Sequence, residues 1–427
     1  MFDSLSSVDP DAGESALVAR IAELEALKAA AAAGQARCAV ALEAARRAAE
    51  QAAGVPAARR CRGLAGEVAL ARRDSPSRGG RHLGFAKALV YEMPHTLAAL
   101  EGGVLSEWRA TLIVRESACL TLENRRRLDE ELCADPGELE GKGDARIAAA
   151  AKAIAYRLDP QAVVDRAAHA ETERTVTIRP APDTMTYVTA LLPVTQGVSV
   201  YAALKRQADT TFDGRSRGQI MADTLVERVT GRPADVPEPI AVNLVLSDDT
   251  LLAGGPDAAT ITGYGPIPAA VARQLVAVAV GDRRSRATLR RLYAHPASRA
   301  LVAMESRSRC FPRGLADFIA FRDGGTCRTP YCDAPIRHTD HAQPVVDGGP
   351  TTAHNGDGSC ELCNYLKQAP GWRVTTVTDE TGCHTAEFTT PTEARYRSIA
   401  PPLPGSVVID ISELETRIGI AIAGHAA

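Results

Sequence analysis

Lysine, aromatic side chains and long apolar runs are all scarce in this sequence of 427 residues. Of the 49 basic residues 6 are Lys, which leaves 43 Arg (49 − 6), and aromatic residues make up 4%. With a hydrophobic content of 45%, the core must consist mainly of Ala, Val, Leu and Ile. The longest apolar stretch, 267–280, contains Arg273 and falls short of the roughly 18 residues that a membrane helix needs. We therefore expect no membrane partner.

Targeting signals and nucleotide-binding loops are also missing. The first residues, M-F-D-S-L-S-S-V-D-P-D, are acidic and polar, without the basic start and apolar core of a signal peptide. The sequence contains no G-x-G-x-x-G after a predicted strand, no Walker loop and no internal repeat. Six of the ten cysteines are scattered singly, which is typical of reduced thiols. These features predict a cytoplasmic protein.

Charge is balanced overall but uneven along the chain. Some nucleic-acid-binding proteins are basic along their whole length. The net charge of −3 excludes this class for the present chain. Residues 281–373 nevertheless carry 14 Lys and Arg against 9 Asp and Glu, a balance of +5 (14 − 9). Residues 374–427 carry 3 against 7. Basic charge is therefore concentrated in one C-terminal segment.

The first 60 residues are rich in Ala and have an apolar residue at each helical turn. Leu17, Ile21, Leu24 and Leu27 follow helical spacing, with Glu and Arg between them. This pattern predicts a long helix. The helix could pack on its own domain or form the seam of a homodimer, and the sequence leaves both alternatives open.

The rest of the chain predicts an α+β fold in three further parts. Apolar periodicity gives helices over 85–133 and 144–170, with a helical hairpin at 95–111 in which Ser106 is an N-cap. Alternating and β-branched stretches give strands at 174–179, 184–192 and 239–246, between helices at 194–209, 215–229 and 268–280. We predict an N-terminal helix at 1–60, a helical then α+β domain at 61–290, a cysteine-containing domain at 291–373 and a tail at 374–427.

Four cysteines form two pairs, C-x4-C at Cys327 and Cys332, and C-x2-C at Cys360 and Cys363. Each pair can direct two thiolates at one point, and two pairs supply the four soft ligands that tetrahedral zinc prefers. A C-x-x-C can also be a redox pair, but a redox pair needs no second pair. The spacing therefore predicts a structural zinc ion.

The segment around these pairs resembles the HNH nuclease family, whose hallmark is a ββα-metal finger. The matching residues are Asp340-His341, Pro344, Gly348-Gly349, Asn355, the second cysteine pair, Asn364 and Lys367. The flanking sequence also resembles a large group of bacterial proteins in which such a finger follows a long domain of unknown function. The stretches that carry this second resemblance are F-R-D-G-G-T-C-R-T-P-Y-C, C-N-Y-L-K-Q-A-P-G-W, G-Y-G-P-I-P and Y-R-S-I-A-P-P-L-P-G.

The resemblance implies a metal-dependent DNA endonuclease. His341 is the expected general base, because an imidazole can take a proton from water near neutral pH. Asn355 is expected to aim it across the hairpin, while Asp340 and Asn364 hold a catalytic divalent cation. The family usually has His at the last position, so this is an HNN-type variant. Carboxylate and carbonyl oxygens favour Mg²⁺ or Mn²⁺ there.

Further polar residues are candidates for contact with phosphate or metal: His338, Arg337, Arg328 and Lys367. The expected partner is double-stranded DNA, with no prediction of sequence specificity. His354 and His384 are expected to be surface residues. Two other functions remain open at this stage, namely a zinc-stabilised nucleic-acid-binding protein without catalysis and a helical scaffold protein.

Overall fold

The structure is a computed structural model that describes residues 5–233, 244–247, 249–281, 310–378 and 383–403. The chain divides into two compact units, Met1–Ala170 and Glu171–Ala427. This division falls inside the predicted 61–290 domain, and the predicted boundary at 290 lies outside the described residues. No helix within the described ranges is long and apolar enough to cross a membrane.

From residue 5 onward, the described part of the first unit contains helices and no strand. Its helices are α1 (Glu14–Ala52), α2 (Leu64–Ala71), α3 (Gly79–Lys87), α4 (Pro94–Glu101), α5 (Glu107–Ser117), α6 (Leu122–Cys133), α7 (Asp144–Leu158) and α8 (Pro160–Ala170). The predicted hairpin is present, and Ser106 caps α5 by accepting a hydrogen bond from the Arg109 N–H. The helix predicted over 144–170 is interrupted at Asp159, because the following Pro disfavours helical geometry there.

Helix α1 packs along the helices of its own unit through small side chains. Ala29, Ala32, Ala33 and Ala36 are buried, and they join the same core as Leu89 and Leu100. Alanine stripes allow close approach between helices, which suits a chain with few aromatic residues. The helix predicted within 1–60 therefore belongs to the compact unit that extends to Ala170.

The N-terminal part of α1 is not covered in this way. Leu17, Ile21 and Leu27 are exposed by 37%, 68% and 43%. Their exposure leaves an apolar edge on the helix before the buried alanine stripe begins. Dimerisation through this edge stays a prediction.

The second unit mixes short antiparallel sheets with helices. Its elements are β1 (Thr175–Pro180), β2 (Thr186–Leu191), α9 (Val194–Thr210), α10 (Arg217–Thr230), β3 (Leu244–Val245), β4 (Ala259–Ile261), β5 (Gly265–Ile267), α11 (Ala269–Gly281), α12 (Arg313–Arg322), β6 (His338–His341), β7 (Gly356–Ser359), α13 (Glu361–Leu366), β8 (Arg373–Thr378), β9 (His384–Thr389) and β10 (Arg395–Ile399). The α+β prediction is confirmed. The predicted strand at 239–246 is described only at Leu244–Val245.

Part of the predicted C-terminal tail is a folded sheet. Strands β8, β9 and β10 pair antiparallel in sequence order. Val374, Ala386 and Phe388 from this sheet form a buried cluster with Ala342, which directly follows β6. The sequence analysis predicted no strands here, because it considered only the charge of this segment, and charge does not indicate strands. The sheet supports the hairpin that carries the candidate site.

His384, expected on the surface, is buried at the start of β9 and is 6% exposed. Its Nε2 atom lies 2.8 Å from the His354 carbonyl oxygen, and its Nδ1 atom has no hydrogen-bond partner. Burial, and to a smaller extent the nearby Arg322 cation, lowers the pKa of His384 to about 3. The ring is therefore neutral in the folded protein, and the surface prediction is wrong.

Acid should destabilise the protein through His384. The folded pKa lies below the unfolded value, so stability from this residue is complete above pH 6.5 and is lost as pH falls. At pH 5 the loss should be about 2 kcal/mol relative to pH 8. Urea unfolding followed by Trp372 emission at both pH values would measure it. A His384→Gln variant should lose less stability between pH 8 and pH 5, whereas an equal loss in both proteins would contradict the assignment.

Candidate functional site

The first cysteine pair lies on a tight loop before β6. The Cys327 N–H donates to the Ala334 carbonyl at 2.8 Å, and the Cys332 N–H donates to the Thr329 carbonyl at 3.0 Å. Tyr331, between the two cysteines, has a φ of 62°. This left-handed residue helps to reverse the chain, so that both thiols are directed inward.

The second pair begins helix α13. Cys360 is the N-cap, and its Sγ atom accepts a hydrogen bond of 3.4 Å from the Cys363 N–H. The pair therefore occupies one turn at the start of a helix. Both side chains are buried.

The two pairs meet in one buried cluster. All four Sγ atoms lie within 4.8 Å of one another, and the Sγ atoms of Cys332 and Cys360 are 3.9 Å apart. A disulfide bond would require about 2.05 Å, whereas four thiolates around zinc at about 2.3 Å lie about 3.8 Å apart. The four cysteines could therefore hold a zinc ion, and the meeting of two pairs disfavours a lone redox C-x-x-C.

The electrostatics of the cluster favour a thiolate. Hydrogen bonds from Cys332, Cys360 and Cys363 lower the pKa of the Cys327 thiol far below its ordinary value. The same hydrogen bonds to Cys327 raise the pKa of the other three thiols. A buried negative charge in such a cluster is stabilised by a metal cation, which lets the remaining thiols ionise as well.

The hairpin of β6 and β7 carries the acidic residue and the histidine that the sequence singled out. The two strands are antiparallel, and Asp340 pairs with Asp357 while His341 pairs with Gly356. Strand β7 reads G-D-G-S and is buried along its whole length. A Cβ atom on Gly356 would come within 2.2 Å of Ile319 Cδ1, so glycine lets the hairpin pack on α12 without displacing that side chain.

His341 is held by contacts on two sides. Its ring centroid lies 4.5 Å from that of Phe311, and its Nε2 atom is 2.9 Å from Thr351 Oγ1. The residue is 7% exposed, so the surroundings restrict its orientation. Its Nδ1 atom lies 3.8 Å from Asp340 Oδ1. Adjacent residues of a strand point to opposite faces, yet here the tips of the two side chains come together.

Asn355 bridges the loop between the two strands. Its Oδ1 atom accepts from the Gln343 N–H at 2.9 Å, and its Nδ2 group donates to the carbonyls of Gln343 at 3.0 Å and Pro350 at 2.9 Å. Gly348 has a φ of 83°, and a Cβ atom on Gly349 would lie 1.9 Å from the Gln343 carbonyl oxygen. The amide and the glycines together fix the chain that follows His341.

Helix α13 packs against β6 at the acidic residue. The Lys367 ammonium, which directly follows the helix, lies 3.2 Å from Asp340 Oδ2. Burial alone would raise the pKa of Asp340, but the Lys367 ammonium and the His341 backbone N–H together outweigh it and lower the pKa below its ordinary value. Asp340 is therefore an ionised carboxylate, and its side chain is 34% exposed.

Asn364 lies three residues before Lys367, on the same side of α13. Its Oδ1 atom is buried and has no hydrogen-bond partner. A buried amide oxygen without a partner costs about 1–3 kcal/mol. An oxygen ligand for a cation is the chemistry that would satisfy it, and Asp340, on the strand below, supplies a second hard oxygen ligand.

The side chains of two candidate phosphate contacts, Arg328 and Lys367, are buried and have partners inside the domain. The Arg328 side chain is 3% exposed, and its guanidinium donates to the carbonyls of His384 at 3.2 Å and Ser398 at 2.6 Å. Lys367 is 6% exposed and is paired with Asp340, so its contact with phosphate or metal stays a prediction. Both cations hold the domain together internally. Arg337 and His338, by contrast, are exposed at the start of β6.

Sequence reasoning missed two polar residues of this site. Thr351 bonds the His341 ring, and Asp357 is completely buried opposite Asp340. Burial, which outweighs the Lys367 charge, raises the pKa of Asp357 to about 6. Asp357 gave no local signal, because it lies in the stretch G-D-G-S, whose strand propensity is low. Thr351 gave no signal, since threonine is common in turns.

The chain matches one family model, which covers most of its length. A model described as Domain of unknown function (DUF222) matches residues 20–323, more than two thirds of the chain. The match ends before the four cysteines, and no HNH family model matches. No curated protein and no solved structure matches the chain. The chain therefore belongs to the DUF222 family, with the cysteine cluster C-terminal to the matched residues.

Proposed function

We propose that the C-terminal region is an HNH-type finger that hydrolyses DNA phosphodiester bonds with a divalent cation. The observation that carries the proposal is the approach of Asp340 and His341 on β6, together with the buried, unpartnered amide oxygen of Asn364 on the helix that packs against this strand. Two strands, one short helix and a four-cysteine cluster support this ββα-metal interpretation. The cluster would hold structural zinc, because so small a region has little apolar core of its own.

His341 is the proposed general base. When His341 Nε2–H donates a hydrogen bond to the Thr351 hydroxyl oxygen, the free lone pair of the ring lies on Nδ1. Nδ1 is the ring nitrogen nearer Asp340. That nitrogen can take a proton from a water molecule as the water attacks phosphorus. Phe311 and Thr351 keep the ring in place, and Asn355 fixes the backbone beside it. A restrained base of this kind loses little entropy on reaching the reactive geometry.

Asp340 and Asn364 are the proposed ligands of the catalytic cation. They offer one carboxylate and one amide oxygen, which suit Mg²⁺ or Mn²⁺ that keeps several waters. When bound, such a cation stabilises the charge that develops on the scissile phosphate and the leaving oxygen. The neutral amide of Asn364 adds no charge, so the site would hold its cation more weakly than a site with two carboxylates.

DNA is the proposed partner, held mainly through its phosphates. Arg337 and His338 are exposed next to the acidic residue and could bind phosphate oxygens. Residues 281–373 carry more basic than acidic residues, and this excess of positive charge also attracts the DNA phosphates. Phosphate contacts carry no sequence information, so cleavage without strong sequence preference is expected.

A metal-dependence assay separates this proposal from a nucleic-acid-binding protein without catalysis. The zinc-loaded protein is incubated with labelled duplex DNA in Mg²⁺, in Mn²⁺ or without any added divalent cation, and anisotropy measures binding in parallel. We expect binding in every condition and cleavage only with Mg²⁺ or Mn²⁺. Binding without cleavage under any cation would instead support the binding protein.

A further inference from the structure

One acidic residue near the proposed cation site, Asp357, has no part in the mechanism above. It is the cross-strand partner of Asp340, so both side chains project from the same face of the hairpin. Asp357 is completely buried, its Oδ2 atom accepts from Ser359 Oγ at 3.0 Å, and its Oδ1 atom has no hydrogen-bond partner. A charged carboxylate so far from water needs a cation beside it.

Lys367 is that cation, and it is shared with Asp340. The ammonium nitrogen lies 3.2 Å from Asp340 Oδ2 and 4.0 Å from Asp357 Oδ2, and it donates to the His341 carbonyl at 3.1 Å. Its side chain is 6% exposed, so water and salt screen these charges poorly. One ammonium group thus lies between two carboxylates, nearer to the one that the proposed function assigns to a divalent cation.

The other charged groups nearby are occupied with one another. The Arg322 guanidinium donates to both oxygens of Asp323, at 2.7 and 2.9 Å, and Arg328 Nε lies 3.5 Å from Asp323. Among the ion pairs of the described residues, Asp357 is paired with Lys367. Asp357 and Lys367 therefore interact as a pair next to Asp340.

Binding of a cation at Asp340 would change the balance in this group. A divalent cation and the ammonium would compete for one carboxylate, and like charges a few ångströms apart repel strongly where water is excluded. A shift of about 1 Å would bring the ammonium within hydrogen-bond distance of Asp357. The unpartnered Oδ1 atom of Asp357 can accept the additional hydrogen bond.

We propose that Lys367 and Asp357 set the cation affinity of the site. Lys367 competes with the cation for Asp340, and Asp357 receives the ammonium group when the cation binds. Asp357 is then a positioning residue that acts through Lys367 and touches neither cation nor DNA. The inference rests on the proposed function, because it requires Asp340 to be a cation ligand.

The test is a titration of the zinc-loaded full chain with Mn²⁺, in which electron paramagnetic resonance measures the free ion. Lys367→Met should lower the Kd for Mn²⁺ about tenfold, because it removes the competing charge. Asp357→Asn should raise the Kd about tenfold, because the ammonium then stays on Asp340. In the Lys367→Met background, Asp357→Asn should change the Kd by less than about threefold, since the two residues act as a pair.

Each outcome of the titration decides something. An equal effect of Asp357→Asn in both backgrounds, or none in either, would overturn the inference. If the Asp357→Asn variant loses its zinc, the Lys367→Met variant alone tests the inference. In that case, unchanged or weaker Mn²⁺ binding by Lys367→Met would overturn the inference. Asp340→Ala should abolish binding; if it does so while the pair has no effect, the proposed function stands and only this inference fails. A wild-type protein that binds no Mn²⁺ refutes both.

Discussion

Replacing Cys363 by Ser should release one zinc ion per chain and unfold the region around the cluster. Cys363 is 1% exposed and lies within 4.8 Å of three other thiols, so a hydroxyl there leaves a buried site with three soft ligands. Structural zinc contributes about 10–16 kcal/mol in small zinc-binding peptides. The measurements are the zinc content and the emission of Trp372, which is buried and follows α13 in the chain, whereas Trp108 is 56% exposed.

Cys310→Ser is the matched control. Cys310 is exposed and lies outside the cluster, so its replacement should keep both the zinc and the emission of Trp372. Substituting Cys360 should have the same effect as substituting Cys363, since both belong to the second pair. Unchanged zinc content in either cluster variant would refute the four-cysteine assignment.

Replacing His341 by Ala should reduce DNA cleavage by about 10²–10⁴-fold, the usual contribution of a general base. The loss should fall on the rate of the chemical step, because His341 is 7% exposed and offers DNA little surface to bind. Single-turnover cleavage of a labelled duplex in Mn²⁺ measures that rate directly. The zinc content of the variant should stay unchanged, because the cluster lies on other segments of the chain.

His338→Ala is the control for this substitution. His338 is exposed, three residues earlier in the same strand, and is proposed at most to contact phosphate. Its loss should weaken DNA binding by a few-fold and leave the rate of the bound complex nearly unchanged. If His338→Ala abolished the chemical step while His341→Ala did not, the two histidines would have to exchange roles.

The residues that sequence patterns located best are those with fixed spacing. Four cysteines in two pairs predicted a shared site, and the structure brings their sulfur atoms together. Helices with clear apolar periodicity, and the strand pair β1 and β2, were located to within a few residues. Periodicity and ligand spacing are local properties, which is why a single sequence is enough to find them.

Features that depend on packing could not be predicted. Strand β7 reads G-D-G-S, which has low strand propensity, and it forms because glycine fits against α12 and β6. Arg328 is indistinguishable in sequence from a surface arginine, but the sheet β8–β10 buries it. The pairing of Lys367 with two carboxylates joins α13 to both strands of the hairpin, a contact between segments that no local pattern encodes.

The central claim is that this finger cuts DNA with His341 as the base. Its most direct test is conversion of supercoiled plasmid to nicked and linear forms by zinc-loaded wild type and His341→Ala, side by side, in Mn²⁺. We predict rapid nicking by wild type, no nicking when Mn²⁺ is omitted, and nicking by His341→Ala slower by at least about a hundredfold. Equal nicking by the two proteins would contradict it.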